Sequence, residues 1–390
     1  MELAYKSFEF RVPSRILYGV GCAKEAGSVA KALGGTKALI VTDPVLRKMG
    51  YPKEVQGYLE EAGLRVEVFD GVPTEPEMGY VEKGLKIYEE AGCDLTVAVG
   101  GGSPIDTAKG IALLATNKGS MRDYEGIGKI PVPAAPLIAM PTTAGTGSEV
   151  TQFTVITDVE RKRKMLIGSP NIIPTAAICD PLFTLKLPPD YTMGIGVDAL
   201  THAIEAYVSV KAQPLSDMFA LNAIELISRS LRQAWADGSN LAARSNMMRA
   251  ATEAGIAFSN SSVALVHGMS RPIGAHFHLP HGLSNAILLP HVMEFSYIGN
   301  PEKFADIAVA MGESVEDLSV LDAAIVAVET VGRLCEDVGV PTLVGAGCEE
   351  AKVLELAPKM ADDAIASGSP ANNPRKPTRE QIVEIYKRAL

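Results

Sequence analysis

The sequence predicts an α/β domain with a parallel sheet over residues 1–187, followed by an all-α domain over residues 188–390. Three observations predict it. Between about residue 36 and residue 185, short β-branched runs alternate with helical stretches, the pattern of repeated βαβ units. From Tyr191 onward the periodicity is helical, β-branched runs are few, and Gly and Pro supply the stops. Between the two textures lies Leu187-Pro188-Pro189, where paired prolines block helix propagation. A chain of 390 residues is too long for one ordinary core, and suits two domains of roughly 150 to 200 residues each.

In the first domain TKALIVTD, LRVEVFDG, CDLTVAVGGGS and APLIAMPTTAG read as strands. A helix through LRKMGYPKEVQGYLEEAG and another through DTAKGIALLA lie between them. In the second domain LSDMFALNAIELISRSLRQAWADG and VLDAAIVAVETVGRLCEDVG are the clearest helices. GVDALTHAIEAY, residues 196–207, has the apolar spacing of a buried helix yet places Asp198 and His202 one turn apart on its apolar side.

Composition excludes several classes. With 47% hydrophobic and 21% charged residues the chain has ample material for a core. Lys plus Arg total 36 against 46 Asp plus Glu, a net charge of -10, which repels nucleic acid and anionic membranes at long range. Cys22, Cys93, Cys179, Cys335 and Cys348 are odd in number, widely spaced and form no CxxC pair, the usage of a reducing compartment. The opening MELAYKSFEFRVPSR has charges where a secretory signal needs an apolar run, and no stretch reaches the ~18 apolar residues of a membrane span. The expectation is a soluble cytoplasmic protein with no nucleic-acid or membrane partner.

Two glycine-rich stretches compete as phosphate cradles. YGVGCAKEAG, residues 18–27, starts like GxGxxG but has Lys24 at the third glycine position and a poor strand, RIL, before it. It reads as a strand-to-helix turn. In DLTVAVGGGSPIDTAKG the strand runs straight into Gly100, Gly101, Gly102 and Ser103, and Pro104 suits the first turn of the next helix. Glycines let backbone N–H groups approach an anion, and the helix N-terminus adds the positive end of its dipole. A diphosphate site is expected here, against the alternative of a tight βα turn. MPTTAGTGSEVTQFTVITD, residues 140–158, is rich in hydroxyls and glycine and suits either a ligand-wrapping segment or a hairpin loop. Asp43 ends the strand ALIVTD, where a carboxylate either receives a ribose 2′-hydroxyl or caps the following helix.

Four of the six histidines fall within fifteen residues: His267, His276, His278 and His281 in VHGMSRPIGAHFHLPHG. Asp198 and His202 project from one helix face, the spacing that lets two ligands reach one ion. Two histidines from the cluster would complete a site of three imidazoles and one carboxylate, a set that suits Fe(II) or Zn(II) without choosing between them. His291 reads as structural.

GGGSPIDTAK, PTTAGTGSEVT, GVDALTHAIEAY and VHGMSRPIGAHFHLPHGLSNAILLPHVM together resemble the iron-containing, group III alcohol dehydrogenases. The resemblance spans essentially the whole chain, including NNPR at 372–375. It implies the two-domain architecture shared with dehydroquinate synthase, a dinucleotide-binding first domain, and catalysis in the cleft before a helical second domain. Carried over by position, it implies Asp198, His202, His267 and His281 as metal ligands, with iron foremost and zinc second. It implies Gly101, Gly102, Ser103 and Asp106 around an NAD pyrophosphate, Thr142, Thr143, Thr151 and Lys164 along the rest of the dinucleotide, and Asp43 at the adenosine ribose, favouring NAD over NADP. Phe153, Phe258 and Ser369 fall at substrate-lining positions, which implies a small, partly apolar alcohol or aldehyde. A homo-oligomer is a family-level expectation.

One departure stands out. Many members have a histidine, a proposed proton relay, where this chain has Arg271, and arginine cannot act as a base near neutral pH. His278 and His276 are the candidate replacements, beside a relay through ribose hydroxyls and water or none at all. Two rival readings are an NAD-dependent lyase of the dehydroquinate synthase type, against which the two pocket phenylalanines weigh, and a nucleotide-binding protein without turnover.

Overall fold

The computed structural model describes residues 7–390 and divides them into two compact units, residues 11–185 and residues 186–390 joined by residues 7–10. The first unit runs β1 (Arg15–Tyr18), α1 (Ala26–Ala32), β2 (Lys37–Val41), α2 (Pro44–Met49), α3 (Tyr51–Glu61), β3 (Arg65–Phe69), α4 (Met78–Ala91), β4 (Leu95–Gly100) and α5 (Gly102–Thr116). It continues with β5 (Gly126–Ile127), β6 (Leu137–Pro141), β7 (Phe153–Asp158), β8 (Arg163–Gly168) and β9 (Ala176–Cys179).

Six strands form one sheet in the order β1-β9-β6-β4-β2-β3, with every pairing parallel. β4 and β6 are buried at every position, as strands covered by helices on both faces must be. The period of two sorts their side chains: Leu39, Ala98 and Ala139 join Ile105 and Ile111 of α5 in one core, while Ile40, Val97 and Ile138 join Val55 and Leu59 of α3 in the other. The chain passes from β2 to β3 on one side and returns to β4 on the other. In an open parallel sheet the crevice at the carboxyl ends of strands opens at such a reversal. Asp43 follows β2 and Gly101 follows β4, so both lie at that point.

Three details differ from the sequence expectation or sharpen it. The helix expected through residues 46–63 is two helices, because Gly50 takes φ 91°, a left-handed conformation that ends α2 and starts α3. RILY does form a strand, β1, as a mostly exposed edge paired with β9 alone. The amides of the turn after it are taken by Asp180, which accepts from Gly21 N and Ala23 N at 3.0 Å each. A carboxylate of the chain itself thus occupies that glycine turn. The 140–158 segment leads into an antiparallel hairpin of β7 and β8 that forms a small second sheet with β5.

The second unit is helical: α6 (Pro189–Val208), α7 (Pro214–Ala236), α8 (Leu241–Asn260), α9 (Leu265–Phe277), α10 (His281–Ser296), α11 (Pro301–Ala310), α12 (Val320–Asp337), α13 (Glu350–Ala366) and α14 (Arg379–Arg388). α6 starts at the second of the paired prolines, where a fixed φ suits the first helical turn. It is buried along nearly its whole length, against α7, α8 and α10. Residues 7–10, assigned by sequence to the first domain, pack on this unit: Gln213 Nε2 donates to Glu9 O at 3.0 Å and Phe10 stacks on Phe219. Among the described residues no helix is long and apolar enough to cross a membrane, and all five cysteines are free thiols.

Candidate metal and nucleotide sites

On α6 the spacing i, i+4, i+7 puts Asp198, His202 and Glu205 on one face, and all three are buried. α9 contributes His267 from its first turn, and α10 contributes His281 as its first residue. Ligand atoms of Asp198, His267 and His281 lie within 4.8 Å of one another. His267 Nε2 is 3.8 Å and His202 Nδ1 3.9 Å from Asp198 Oδ1. The rings of His202 and His267 are 4.4 Å apart, and Phe258 stacks on the other side of His202 at 4.4 Å and 20°. The close crossing of α6 and α10 depends on glycine: a Cβ on Gly282 would stand 2.7 Å from Gly194 O and 3.3 Å from the Asp198 Cβ.

Glu205 holds the arrangement from behind. Its carboxylate accepts from Ala264 N at 2.8 Å, from Val266 N at 2.5 Å, and from His267 Nδ1 at 2.7 Å. The two amides belong to the start of α9, where orphan N–H groups need acceptors. With Nδ1–H donated to Glu205, the Nε2 lone pair of His267 faces Asp198, the carboxylate–histidine pairing that orients metal ligands. Burial pushes the Glu205 carboxyl up to about 7 against the pull of those amides. Burial also holds the His267 imidazole well below its ordinary value, helped by the nearby His202 and Arg271.

The donor set fits a cation. Asn285 Nδ2 lies 2.6 Å from Asp198 Oδ1, 3.1 Å from His267 Nε2 and 3.2 Å from His281 Nε2. One amide nitrogen with two protons thus faces three acceptors. His202 Nδ1 and Asn285 Oδ1 are buried without a hydrogen-bond partner. Buried imidazole nitrogens and a carboxylate oxygen converge here around a single amide nitrogen, a donor set that suits a divalent ion.

The remaining sequence candidates are distributed unevenly. Arg271, one turn beyond His267, donates from Nη1 to Ser369 Oγ at 3.1 Å. His276 follows His267 by nine residues, about 180° around a helix, and its Nε2 is 3.9 Å from Asp363 of α13. His278 is exposed at the C-cap of α9 with φ 56°. Neither joins the Asp198 cluster, because the helix turns His276 away and ends before His278. His291 is half-buried in α10 behind Pro290, and burial lowers its pKa.

In the first unit Gly101 caps α5 and is followed by Gly102 and Ser103 in its first turn. A Cβ on Gly101 would stand 3.2 Å from the Thr143 side chain, and one on Gly102 3.1 Å from Thr146 Cγ2. The glycine turn therefore lies directly against the threonine loop, and Thr142 N donates to Gly100 O at 3.0 Å. Asp43 caps α2, its Oδ1 accepting from Val45 N and Leu46 N at 2.8 Å each.

Asp106 and Thr151 are bonded within the protein. Asp106 accepts from Ser148 Oγ at 2.5 Å and Val155 N at 2.8 Å. Thr151 belongs to the cage around Lys109, whose Nζ donates to Thr151 Oγ1 at 2.9 Å, Thr151 O at 3.1 Å, Phe153 O at 2.7 Å and Ser148 Oγ at 3.2 Å. Lys109 is fully buried, and burial pushes its pKa down to about 8 against the pull of Asp106 and Glu149. Lys164 stands out on β8, paired with Glu75 at 2.6 Å. Phe153 opens β7 beside Gly168 of β8.

Sequence reasoning did not assign Glu205, Asn285 or Lys109. Each carried a signal in its spacing: Glu205 is i+7 from Asp198, Asn285 is i+4 from His281, and Lys109 is i+3 from Asp106.

A glycine turn at the switch point of a parallel sheet, with an imidazole and carboxylate cluster on helices, suits an enzyme that uses a nucleotide and a metal ion. The chain belongs to the iron-containing alcohol dehydrogenase family: its residues 13–181 match the family model "Iron-containing alcohol dehydrogenase" and its residues 192–390 match the C-terminal model of the Fe-containing family. It is 44% identical over 391 residues to 1,3-propanediol dehydrogenase of Citrobacter freundii, covering 100% of both chains. It is 40% identical to lactaldehyde reductase of Escherichia coli strain K12, covering 95% of this chain and 96% of that one. The crystal structure of a 1,3-propanediol oxidoreductase, 44% identical, matches with a TM-score of 0.96 over 99% of this chain and 100% of that one. The reaction class is the oxidation of alcohols and the reverse reduction of aldehydes.

Proposed function

We propose that the protein interconverts a small primary or secondary alcohol, or diol, and its carbonyl compound with NAD, using one divalent ion held by Asp198, His202, His267 and His281. The observation that carries this reading is the convergence of Asp198, His267 and His281 from three helices, with Glu205 behind His267. Iron is the foremost metal and zinc the second, since imidazole and carboxylate donors serve both. When bound, the ion supplies positive charge at the substrate oxygen and NAD the hydride acceptor.

The chain's own groups do the rest. Glu205 accepts the Nδ1 proton of His267 and so keeps its Nε2 free of a proton. Phe258 covers His202 with an apolar ring, supporting a small, partly apolar substrate; Phe153 and Ser369 keep their proposed lining roles. The amides at Gly101, Gly102 and Ser103 supply donors for a pyrophosphate at the start of α5, with Thr142, Thr143 and Lys164 along the rest of the nucleotide. Asp106, Lys109 and Thr151 act at one remove, by fixing that loop. Asp43 offers its carboxylate to the adenosine ribose, which favours NAD over a phosphorylated ribose. Arg271 keeps its proton near neutral pH, and the reading gives no relay to His276 or His278. It extends to a cytoplasmic homo-oligomer, in keeping with five free thiols.

The test is anaerobic purification with metal analysis, then NAD reduction with ethanol, butanol, 1,2- and 1,3-propanediol and 4-hydroxybutyrate. The reading predicts NADH formation that a chelator abolishes, added Fe(II) restores, and D198A lacks. No NADH from any alcohol with the metal-loaded protein would refute it.

A further inference from the structure

We propose that Arg271 is a specificity-determining residue that receives a carboxylate, so that the preferred substrate is a short ω-hydroxycarboxylate and its semialdehyde; this rests on the function proposed above. The geometry begins on α9. Arg271 lies four residues after His267, so the two side chains share a face one turn apart, about 6 Å between Cβ atoms. The segment 369–372 is seated against the same stretch, since a Cβ on Gly268 would stand 2.8 Å from Pro370 Cγ. That contact brings Ser369, itself 7% exposed, to Arg271 Nη1.

Ser369 Oγ is a neutral acceptor for a group with five N–H donors. Among the described residues Arg271 has no other hydrogen-bond acceptor and no carboxylate within ion-pair distance. Burial works against a charge at this place, with Glu205 the opposing influence. A guanidinium that only ties two segments together is a poor use of a charge, because withdrawing it from water costs several kcal/mol and a neutral amide makes the same bond.

Charge balance points the same way. The carboxylates of Asp198 and Glu205 offset a divalent ion, which leaves Arg271 as surplus positive charge beside the reacting centre. A planar fork with free N–H groups matches a carboxylate in bidentate fashion. With the hydroxyl end at the metal ligands and the carboxylate at Arg271, one helical turn away, the substrate has about three to five carbons. The reaction balances as hydroxycarboxylate plus NAD⁺ giving the semialdehyde, NADH and a proton: the hydroxyl-bearing carbon loses a hydride to NAD⁺ and the oxygen loses the proton, while the carboxylate is unchanged.

The test pairs 4-hydroxybutyrate with butan-1-ol in the metal-loaded enzyme, wild type against R271H and R271K. The expected result is a wild-type kcat/KM about 10- to 100-fold higher for the acid, carried by KM, with the preference lost in R271H and partly kept in R271K. A second readout does not require turnover. Butyrate titrated calorimetrically into metal-loaded and metal-free protein is expected to bind wild type in both forms, and about tenfold or more weakly to R271H. Equal or better use of butan-1-ol by wild type, or butyrate affinity unchanged in R271H, overturns the proposal. If butan-1-ol is oxidised and the acid is not, this inference fails while the proposed function stands. If butyrate binds through Arg271 but no alcohol is oxidised, the proposed function fails instead.

Discussion

The two units hold their candidate sites with opposite materials. In the α/β unit the groups proposed to face a ligand are backbone amides and hydroxyls on loops, and the buried charge behind the threonine loop is a cation, Lys109, whose three protons are shared among four oxygen atoms. In the helical unit the ligand-facing groups are side chains on helices, and the residue beneath is a buried anion, Glu205, with three accepted bonds. Lys109 is flanked by the carboxyl groups of Asp106 and the buried Glu149, whereas Glu205 reaches the proposed metal site through His267. Such a buried charge fixes the loop or ring it binds.

The comparison breaks most visibly at Lys109. K109M keeps the side chain's bulk but leaves the carbonyls of Thr151 and Phe153 and the carboxylate of Asp106 without their cation. Stability should fall by about 3 kcal/mol, measured by denaturant unfolding, and NAD affinity should fall with it while metal affinity is kept. E205Q is the mirror experiment. It should lower metal affinity by about 10- to 100-fold in calorimetric titration and leave NAD affinity unchanged. Loss of both ligands in either variant would mean that the two sites are not separately held.

Acid probes the helical side through His267. Because folding holds His267 well below its ordinary value of 6.5, the unfolded chain binds a proton there that the folded chain refuses. Below about pH 6.5 this group therefore costs stability as pH falls, while Glu205, raised to about 7, takes up a proton in the folded state that the unfolded chain refuses and contributes in the opposite sense. In metal-free protein unfolded in denaturant between pH 7.5 and 5, the stability difference between wild type and H267Q should move against wild type as pH falls. The smallest effect is expected at Asp43. D43N keeps a helix-capping oxygen at α2 but removes the charge, and should shift the NADP-to-NAD preference in kcat/KM upward by about tenfold.

The two regions also differ in how far they could be read from sequence. Glycines that permit a close approach stand side by side, so Gly101 and Gly102 announced a cradle from one short stretch, and the β-branched runs of β2, β4 and β6 announced the sheet. The proposed metal ligands are spread over 84 positions, from Asp198 to His281. Only the i, i+4 pair on α6 and the density of histidines pointed to them, and a count is blind to the helical phase that turns His276 toward Asp363. Glu205, Asn285 and Lys109 escaped for a shared reason: a charged or amide residue on a helix is ordinarily solvated, and only tertiary packing shows that these are buried. The break at Gly50 was missed because apolar periodicity runs through it while the backbone does not.

Metal titration tests the central claim most directly. Calorimetric titration of metal-free wild type with Fe(II) under anaerobic conditions, repeated with D198A, H202A, H267A and H281A, should show one ion bound per chain and at least a hundredfold weaker binding in each variant. Binding that survives in all four variants, or no binding to the folded wild type, would contradict the joint site on which the account rests.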